Sequence, residues 1–255
     1  MLQAAESAAS LRRELEVARR IQQSLRPRQP LERPDVACWG WCREAAIVGG
    51  DMYGWWTPDS PDAPVWCYIG DVAGHGVGPA LLMSNAYAVL RALCREEGDA
   101  GRVASRLNAL MCEDIEAAME YLTLSLMRLD PAGRQLHYVG LGHPPVLLWR
   151  RGHDAPIWLE GDGMPAGLFA SATYQEAIVP LEPGDLLVAY TDGITEAELP
   201  DGEPFGQDRL AELIRVHRDA PLPAIGQALI GALGVSGDAY PDDDQTLLIM
   251  RIGDA

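Results

Sequence analysis

The sequence predicts an α+β protein in which antiparallel sheets are covered by helices. Short runs rich in valine, leucine, isoleucine and aromatic residues recur along the chain, as strands do. Turn-forming residues join many of these runs, for example Asp130-Pro131-Ala132-Gly133 and Arg151-Gly152-His153-Asp154, which suit hairpins. Helical stretches come in pairs between blocks of hairpins, whereas a doubly wound parallel sheet needs one helix after nearly every strand.

The first element is a helix that ends before Pro27 and Pro30. Its apolar positions step alternately by four and three residues, which is the seam of a coiled coil. The seam consists of Ala4, Ala8, Leu11, Leu15, Ala18, Gln22 and Leu25. With several alanines and one glutamine, it leaves two alternatives open: a helix packed on its own domain, or one that dimerises or relays a signal.

The remaining elements belong to one domain that follows this helix. We predict strands over 35–43, 65–72, 121–129, 134–140, 145–150, 174–180, 185–191 and 245–252. We predict paired helices over 79–97 and 101–119, and again over 207–217 and 221–233. The chain therefore divides into a linker helix, 1–30, and a second domain, 31–255.

Composition limits the partners that this protein can have. The 37 acidic residues outnumber the 20 basic residues, all of them arginine, and the formal net charge is −17. Nucleic-acid backbones and anionic membranes both need clustered basic side chains, so neither is an expected partner. Five cysteines without a CxxC pair favour a reducing compartment, and the charged N-terminus does not resemble an export signal. We expect a cytoplasmic protein.

Four acidic positions lie where an apolar run meets a glycine or a turn: Asp51, Asp71, Asp192 and the pair Asp243-Asp244. Aspartate favours turns, and this explains any one of them. Together they suggest strand ends that converge, because aspartate is rare in strands. Converged carboxylates repel each other unless cations lie between them. Oxygen ligands select Mg²⁺ or Mn²⁺, and a pair of such ions suits the hydrolysis of phosphate esters.

Other residues in these segments have simpler interpretations. The loop Gly74–Gly78 lacks the spacing and the lysine of a nucleotide-binding loop, so we expect a tight turn beside Asp71. His75 and His143 are expected to make structural hydrogen bonds. The tryptophans near the first strand, Trp39, Trp41, Trp55 and Trp56, are expected in the core and at its rim. No arginine has a context that identifies it as a phosphate anchor, although Arg43 is the nearest one upstream of Asp51.

An ordered set of motifs resembles the SpoIIE/RsbU-like branch of the metal-dependent serine/threonine protein phosphatases, the phosphatase 2C superfamily. The set comprises VGGDMYG (48–54), IGDVAGHGVGPALLMS (69–84), YLTLSLMRLD (121–130), LHYVGLGHPPVLL (136–148), LEPGDLLVAYTDGITEA (181–197), DGEPFGQDRL (201–210) and DDQTLLIM (243–250). The segment ELEVARRIQQSLRP (14–27) resembles the linker helix that precedes the domain in that branch. The motifs occur in this order over nearly the whole length of the chain.

The resemblance implies a four-layer α-β-β-α sandwich with two Mn²⁺ or Mg²⁺ ions. It implies that Asp71 bridges both ions, that the Val72 carbonyl adds a ligand, and that Asp192 and Asp243 hold one ion. Asp51 would serve the same site, and Asp244 is the alternative to Asp243. The family commonly reads GGDxYD, whereas this chain has Gly54 at the second acid, which would weaken one ion or leave it to water ligands.

The resemblance also implies a phosphoserine or phosphothreonine substrate on a STAS-type anti-sigma-factor antagonist in a partner-switching pathway. A regulatory protein or sensor acting through the linker helix, or a homodimer formed by it, would be the further partner. Two rival functions stay open: a non-catalytic binding module with a phosphatase fold, and a phosphatase of small molecules.

Overall fold

Two antiparallel sheets stacked face to face form the centre of the protein. A computed structural model describes residues 2–58, 63–130, 134–200, 202–235 and 240–253, with side chains from residue 7 onward. One sheet has the strand order β1-β2-β11-β10-β7-β8 and the other has β3-β4-β5-β6-β9. We call them the first and the second sheet. All strand pairs within them are antiparallel.

The elements follow one another with few long connections. The strands are β1 Leu31–Glu32, β2 Val36–Arg43, β3 Asp51–Trp56, β4 Val65–Val72, β5 Leu122–Asp130, β6 Gln135–Leu141, β7 Val146–Trp149, β8 Ile157–Leu159, β9 Ala177–Pro180, β10 Leu186–Tyr190 and β11 Gln245–Ile252. The helices are α1 Leu2–Leu25, α2 Val77–Glu96, α3 Ala100–Ala118, α4 Asp192–Thr195, α5 Gly206–His217 and α6 Leu222–Ala232.

Three apolar layers hold these elements together. Side chains such as Ile69 and Leu248 fill the space between the two sheets. Helices α2 and α3 cover the outer face of the second sheet, where Leu107 is fully buried, and α5 and α6 cover the first sheet around Ile225. Because each strand alternates its side chains between two apolar layers, both faces of both sheets are buried. The predicted α+β four-layer sandwich is confirmed.

The structure also contains elements that the sequence patterns did not predict. These are β1, β3, β8 and the short helix α4. Strand β3 was missed because Gly50 and Gly54 interrupt its apolar pattern, and β8 is only three residues long. The hairpin predicted at 151–154 joins β7 to β8, with Gly152 at φ +78°. Of the other predicted turn, 130–133, residues 131–133 lie outside the described part of the chain.

Helix α1 contacts the rest of the chain mainly through its C-terminal end. Gln22 is 3% exposed, whereas Leu11 and Ile21 are 58% and 59% exposed. The helix therefore contacts the domain through Gln22, while Leu11 and Ile21 face away from it, and both alternatives for this helix stay open.

Helix α2 is long and apolar enough to cross a bilayer by length and composition alone. It packs one face, including Leu90 and Leu93, against the second sheet and α3. An apolar helix with a buried face is typical of a protein core.

Candidate metal centre

Two aspartates on the second sheet lie side by side at one end of the space between the sheets. In the β3–β4 ladder, Asp51 is directly opposite Asp71. Residues two positions along each strand, Tyr53 and Ile69, point into the inter-sheet core. Because side chains alternate along a strand, both carboxylates point to the same side, toward the first sheet. Neighbours opposite each other in a ladder have Cβ atoms about 5 Å apart.

The first sheet brings two further acids to this end. Asp192 follows β10 as the first residue of α4, and Asp243 lies just before β11. Strands β10 and β11 are antiparallel neighbours, so the end of one and the start of the other lie together. The Asp192 Oδ1 accepts the Gly193 N–H, and the Asp243 Oδ1 accepts the Asp244 N–H, each through one oxygen.

Asp244 has a different role from its neighbour. Its Oδ1 accepts the Ala45 N–H at 2.6 Å, and its Oδ2 accepts the Gly50 and Asp51 N–H groups at 2.7 and 3.3 Å. It is 3% exposed, whereas Asp243 is exposed. Asp244 thus fixes the chain entering β3 and has both oxygens engaged. This geometry favours Asp243 over Asp244 as the metal ligand.

Gly50 is required by close packing against the Val72 carbonyl, which the resemblance names as a ligand. A Cβ at residue 50 would lie 2.4 Å from the Val72 oxygen and 3.1 Å from Oδ1 of Asp71. The main-chain atoms of Gly50 and Val72 cannot easily move apart, because the Val72 N–H donates a hydrogen bond to the Gly50 carbonyl.

We therefore expect Gly50→Ala to lower the free energy of unfolding by about 1–3 kcal/mol, a typical cost of overpacking. Thermal denaturation measures this loss. The matched control is Gly78→Ala on α2, where a Cβ meets nothing within 4 Å. Equal stability of the two variants would contradict the close approach.

The carboxylates perturb one another strongly. Burial, followed by the charges of Asp192, Asp243 and Asp244, raises the pKa of Asp71 to about 7. Burial and the charges of Asp71 and Asp244 raise the pKa of Asp51 well above its usual value. Burial also raises the pKa of Asp243. These raised pKa values reflect burial and mutual repulsion of the carboxylates, which a bound cation would relieve.

The donor set fits hard divalent cations. Oδ2 of Asp51 accepts the Thr191 hydroxyl at 2.9 Å, but its Oδ1 is buried without a hydrogen-bond partner among the described residues. A buried carboxylate oxygen left unpaired is costly, and a cation would satisfy it. No group of three acidic, histidine or cysteine side chains in the described segments is already arranged to hold a metal ion. Carboxylate and carbonyl oxygens select Mg²⁺ or Mn²⁺.

Gly54 faces away from this cluster. It lies opposite Tyr68 in the ladder, and a Cβ there would be 2.4 Å from the Tyr68 hydroxyl. Tyr68 belongs to the apolar layer beneath α2 and α3, on the other side of the sheet from Asp51. An acid at residue 54 would thus clash with Tyr68 and would not point at the site in this backbone.

An open cleft of about 480 Å³ adjoins the cluster. It is lined by Asp243, Gly193, His75 and Arg43, among others. Gly74 and Gly76 adopt φ of +86° and +94° in the loop that carries His75, which is the geometry of a tight turn. Arg43 pairs with Gln245 in the β2–β11 ladder and reaches this cleft from the first sheet.

His143 takes part in the protein's internal hydrogen bonding. Its Nδ1 lies 2.8 Å from the Thr123 hydroxyl, and Thr123 is opposite Asp71 in the β4–β5 ladder. Burial lowers the pKa of His143 to about 3, so it is neutral at ordinary pH. The contact agrees with the expected structural hydrogen bond.

One contact near the cluster is not part of any of the sequence motifs. Gln22 of α1 donates its Nε2 to the Gly49 carbonyl at 2.7 Å, and its Oε1 accepts the Gly49 N–H at 3.2 Å. Four residues later, Arg26 pairs with the buried Glu44 at 2.7 Å. The only sequence signal was a polar residue on an otherwise apolar seam. Helix α1 is thereby bonded to the segment that leads into Asp51.

Comparison with known proteins identifies the family. The family model described as Stage II sporulation protein E (SpoIIE) matches residues 61–253, which is most of the chain. The chain belongs to the SpoIIE family. Within this SpoIIE-family chain, the match includes Asp71, Asp192 and Asp243 and begins after Asp51.

Relatives of this SpoIIE-family chain agree with the observed fold. "Phosphoserine phosphatase RsbP" of Bacillus subtilis is 24% identical over 242 residues, which are 94% of this chain and 57% of RsbP. The chain thus spans little more than half of that relative. The SiaA-PP2C domain of Pseudomonas aeruginosa has a TM-score of 0.82 at 25% identity and covers 97% of this chain and 99% of its own.

RsbX, whose structure was solved in complex with magnesium, has a TM-score of 0.62 at 17% identity. The alignment covers 88% of this chain and 99% of RsbX. At that identity the similarity to this SpoIIE-family chain concerns the fold alone.

Proposed function

We propose that this chain is a metal-dependent protein phosphatase that hydrolyses phosphoserine or phosphothreonine. The observation that carries the proposal is the convergence of Asp51, Asp71, Asp192 and Asp243 from two sheets beside an open cleft, where burial and neighbouring carboxylates raise the pKa of Asp71. Membership of the SpoIIE family and the similarity to a phosphoserine phosphatase support the same activity.

In this proposal Asp51, Asp71, Asp192 and Asp243, together with the Val72 carbonyl, would hold two Mn²⁺ or Mg²⁺ ions. When bound, such ions neutralise phosphate charge and activate water for attack on phosphorus. Asp244 orders the main chain from Ala45 to Asp51 and so positions the Asp51 carboxylate. No side chain is needed as a covalent nucleophile.

The substrate in the proposal is a phosphorylated regulatory protein in the cytoplasm, of the STAS-type anti-sigma-factor antagonist class. The motif resemblance supports this class. The cleft supports a substrate segment presented on a protein surface, because it is open and broad for a single phosphate group. Binding of a partner without catalysis and hydrolysis of small phosphate esters are the alternatives.

The decisive experiment measures phosphate release from a phosphoserine-bearing STAS protein with Mn²⁺ and with EDTA. We expect release only with Mn²⁺. Equal turnover in EDTA would contradict the metal mechanism. Turnover of free phosphometabolites with none on phosphoproteins would favour a small-molecule phosphatase. Calorimetry with Mn²⁺ distinguishes a metal-dependent enzyme from a non-catalytic binding module, because a module without metal sites would bind no Mn²⁺ at millimolar concentration.

The second part of the proposal is that α1 controls metal occupancy and dimerises the protein. The Gln22–Gly49 pair connects the helix to the residue two positions before Asp51, and Leu11, Val17 and Ile21 form an exposed apolar stripe on the helix. A regulatory protein or a second copy of the chain would cover that stripe. If a variant that lacks residues 1–26 had the same oligomeric state and the same activity as the full chain, this part of the proposal would be contradicted.

Gln22→Ala tests the connection without removing the helix. Losing two hydrogen bonds that each contribute about 1 kcal/mol should raise the Mn²⁺ concentration for half-maximal activity by up to about thirtyfold. The neighbouring Gln23 is exposed, and Gln23→Ala is the matched control. Identical Mn²⁺ titrations for both variants would show that the helix end does not influence the site.

A further inference from the structure

A cavity separate from the carboxylate cluster lies where the end of α1 meets β3, β4 and α2. Its volume is about 250 Å³, and the segment 24–28 forms one wall. Much of the remaining wall is aromatic: it includes Trp55, Trp56, Trp66, Tyr68 and Tyr87. Trp66 and Tyr68 are buried, and Trp55 and Trp56 are partly buried, so the sequence expectation of core and rim tryptophans agrees with this position.

Three arginines line the same cavity: Arg26, Arg28 and Arg91. Arg26 uses Nη1 to pair with Glu44, but its Nε and Nη2 are buried without hydrogen-bond partners in the part of the chain that the structure describes. Arg91 donates only a long 3.4 Å hydrogen bond to the Tyr87 hydroxyl. A concentration of guanidinium groups is unexpected in a chain with a net charge of −17. Because these two Arg26 atoms have almost no accessible surface, the exposed guanidinium groups of Arg28 and Arg91 are the ones that a ligand in the cavity can reach.

We propose that this cavity binds a small aromatic phosphate of the nucleoside monophosphate class. Aromatic side chains stack with planar heterocycles, and arginine binds phosphate through paired hydrogen bonds. The volume is near the lower limit of ligand pockets, roughly 300 Å³, so it suits one ring system with one phosphate and excludes a dinucleotide.

The position of the cavity gives such a ligand a second effect. One wall belongs to the end of α1, and the others belong to the second sheet and α2. A ligand that contacts both sides binds best when the helix is docked, and so it stabilises the docked arrangement. Gln22 makes its bonds to Gly49 in that arrangement. The ligand would therefore hold α1 against the segment that leads to Asp51.

The binding test uses the quenching of tryptophan fluorescence by AMP in the full chain. EDTA is present so that metal-dependent hydrolysis cannot consume the probe, which makes the result independent of the proposed phosphatase activity. We expect saturable quenching by AMP and at least tenfold weaker binding of adenosine and of inorganic phosphate, each of which lacks half of the ligand. No saturable quenching by AMP, or equal binding of adenosine or phosphate, would overturn the proposal.

Variants locate the site. Arg91 and Arg28 are exposed side chains whose replacement should leave the fold intact, and Arg91→Gln and Arg28→Gln should each weaken AMP binding about tenfold. Arg102→Gln on α3 is the control, because Arg102 is 71% exposed and does not line the cavity. AMP affinity unchanged in both cavity variants would overturn the assignment of the site.

Amide exchange measures the effect on the helix. The Gly49 N–H is bonded to Gln22, so its exchange rate followed by NMR reports docking of α1. AMP should slow this exchange, whereas adenosine at the same concentration should leave it almost unchanged. Saturation with AMP without slower exchange at Gly49 would overturn the proposed stabilisation of the docked helix.

Discussion

Replacing Asp71 by asparagine is expected to abolish Mn²⁺-dependent phosphatase activity, with a loss of about 10³-fold or more. In the proposal this carboxylate is a ligand of the ions, and metal ions contribute several kcal/mol to transition-state stabilisation. An amide has a similar shape but no charge, so the change removes the charge that holds the ions. Steady-state hydrolysis of a phosphoserine protein over a range of Mn²⁺ concentrations measures the loss.

Asp244→Asn separates loss of the metal site from loss of the fold. Asp244 accepts three backbone N–H groups, and an amide nitrogen in place of one oxygen would face a donor. This variant should lose thermal stability, whereas Asp71→Asn should not. If Asp71→Asn kept wild-type activity at saturating Mn²⁺, the role of Asp71 as a metal ligand would be wrong.

The second large effect is expected in the stability of the metal-free protein. The pKa of Asp71 is raised to about 7, mainly by burial. Between about pH 4 and pH 7 the folded protein keeps a proton that the unfolded chain releases, so this group lowers stability as the pH rises. The loss amounts to at most about 4 kcal/mol and levels off above pH 7.

The difference between Asp71→Asn and wild type contains this contribution together with the change at Asp51, whose pKa the Asp71 charge also raises. His143 has a lowered pKa and therefore contributes the opposite pH dependence, but it is the same in both proteins. In EDTA the variant should be about as stable as wild type near pH 4 and clearly more stable at pH 7, as measured by urea denaturation. Saturating Mn²⁺ should remove the advantage by stabilising only the wild type. A difference that did not vary with pH would contradict the raised pKa.

The sequence predicted the architecture well because short apolar runs joined by turn residues, together with paired helices, recur along the chain. It also selected the four aspartates that the fold brings to one end of the sheets, since aspartate at a strand end is an uncommon local choice. It could not predict that β3 begins at Asp51, because two glycines obscure the pattern. The Gln22–Gly49 contact joins residues that are 27 positions apart. It depends on the position of one side chain, so the hydrophobic periodicity of the sequence cannot predict it.

The roles of Asp243 and Asp244 illustrate the same limit. Adjacent identical residues cannot be distinguished by sequence context, and only the backbone path shows which carboxylate points to N–H groups. Gly54 is similar: the motif comparison marked it as a missing acid, whereas the strand places it beneath the Tyr68 ring.

The four aspartates come from distant parts of the chain, and this has a consequence for folding kinetics. Asp51 and Asp71 belong to one sheet, while Asp192 and Asp243 belong to the other, so the complete set exists only after both sheets have docked. Contacts of such long sequence separation form late. Bound cations should then slow unfolding and leave the folding rate almost unchanged, because interactions absent from the transition state act on the unfolding step. The ions would stabilise the protein only after both sheets have docked, and a nascent chain ending before Asp243 would lack one of the four aspartates.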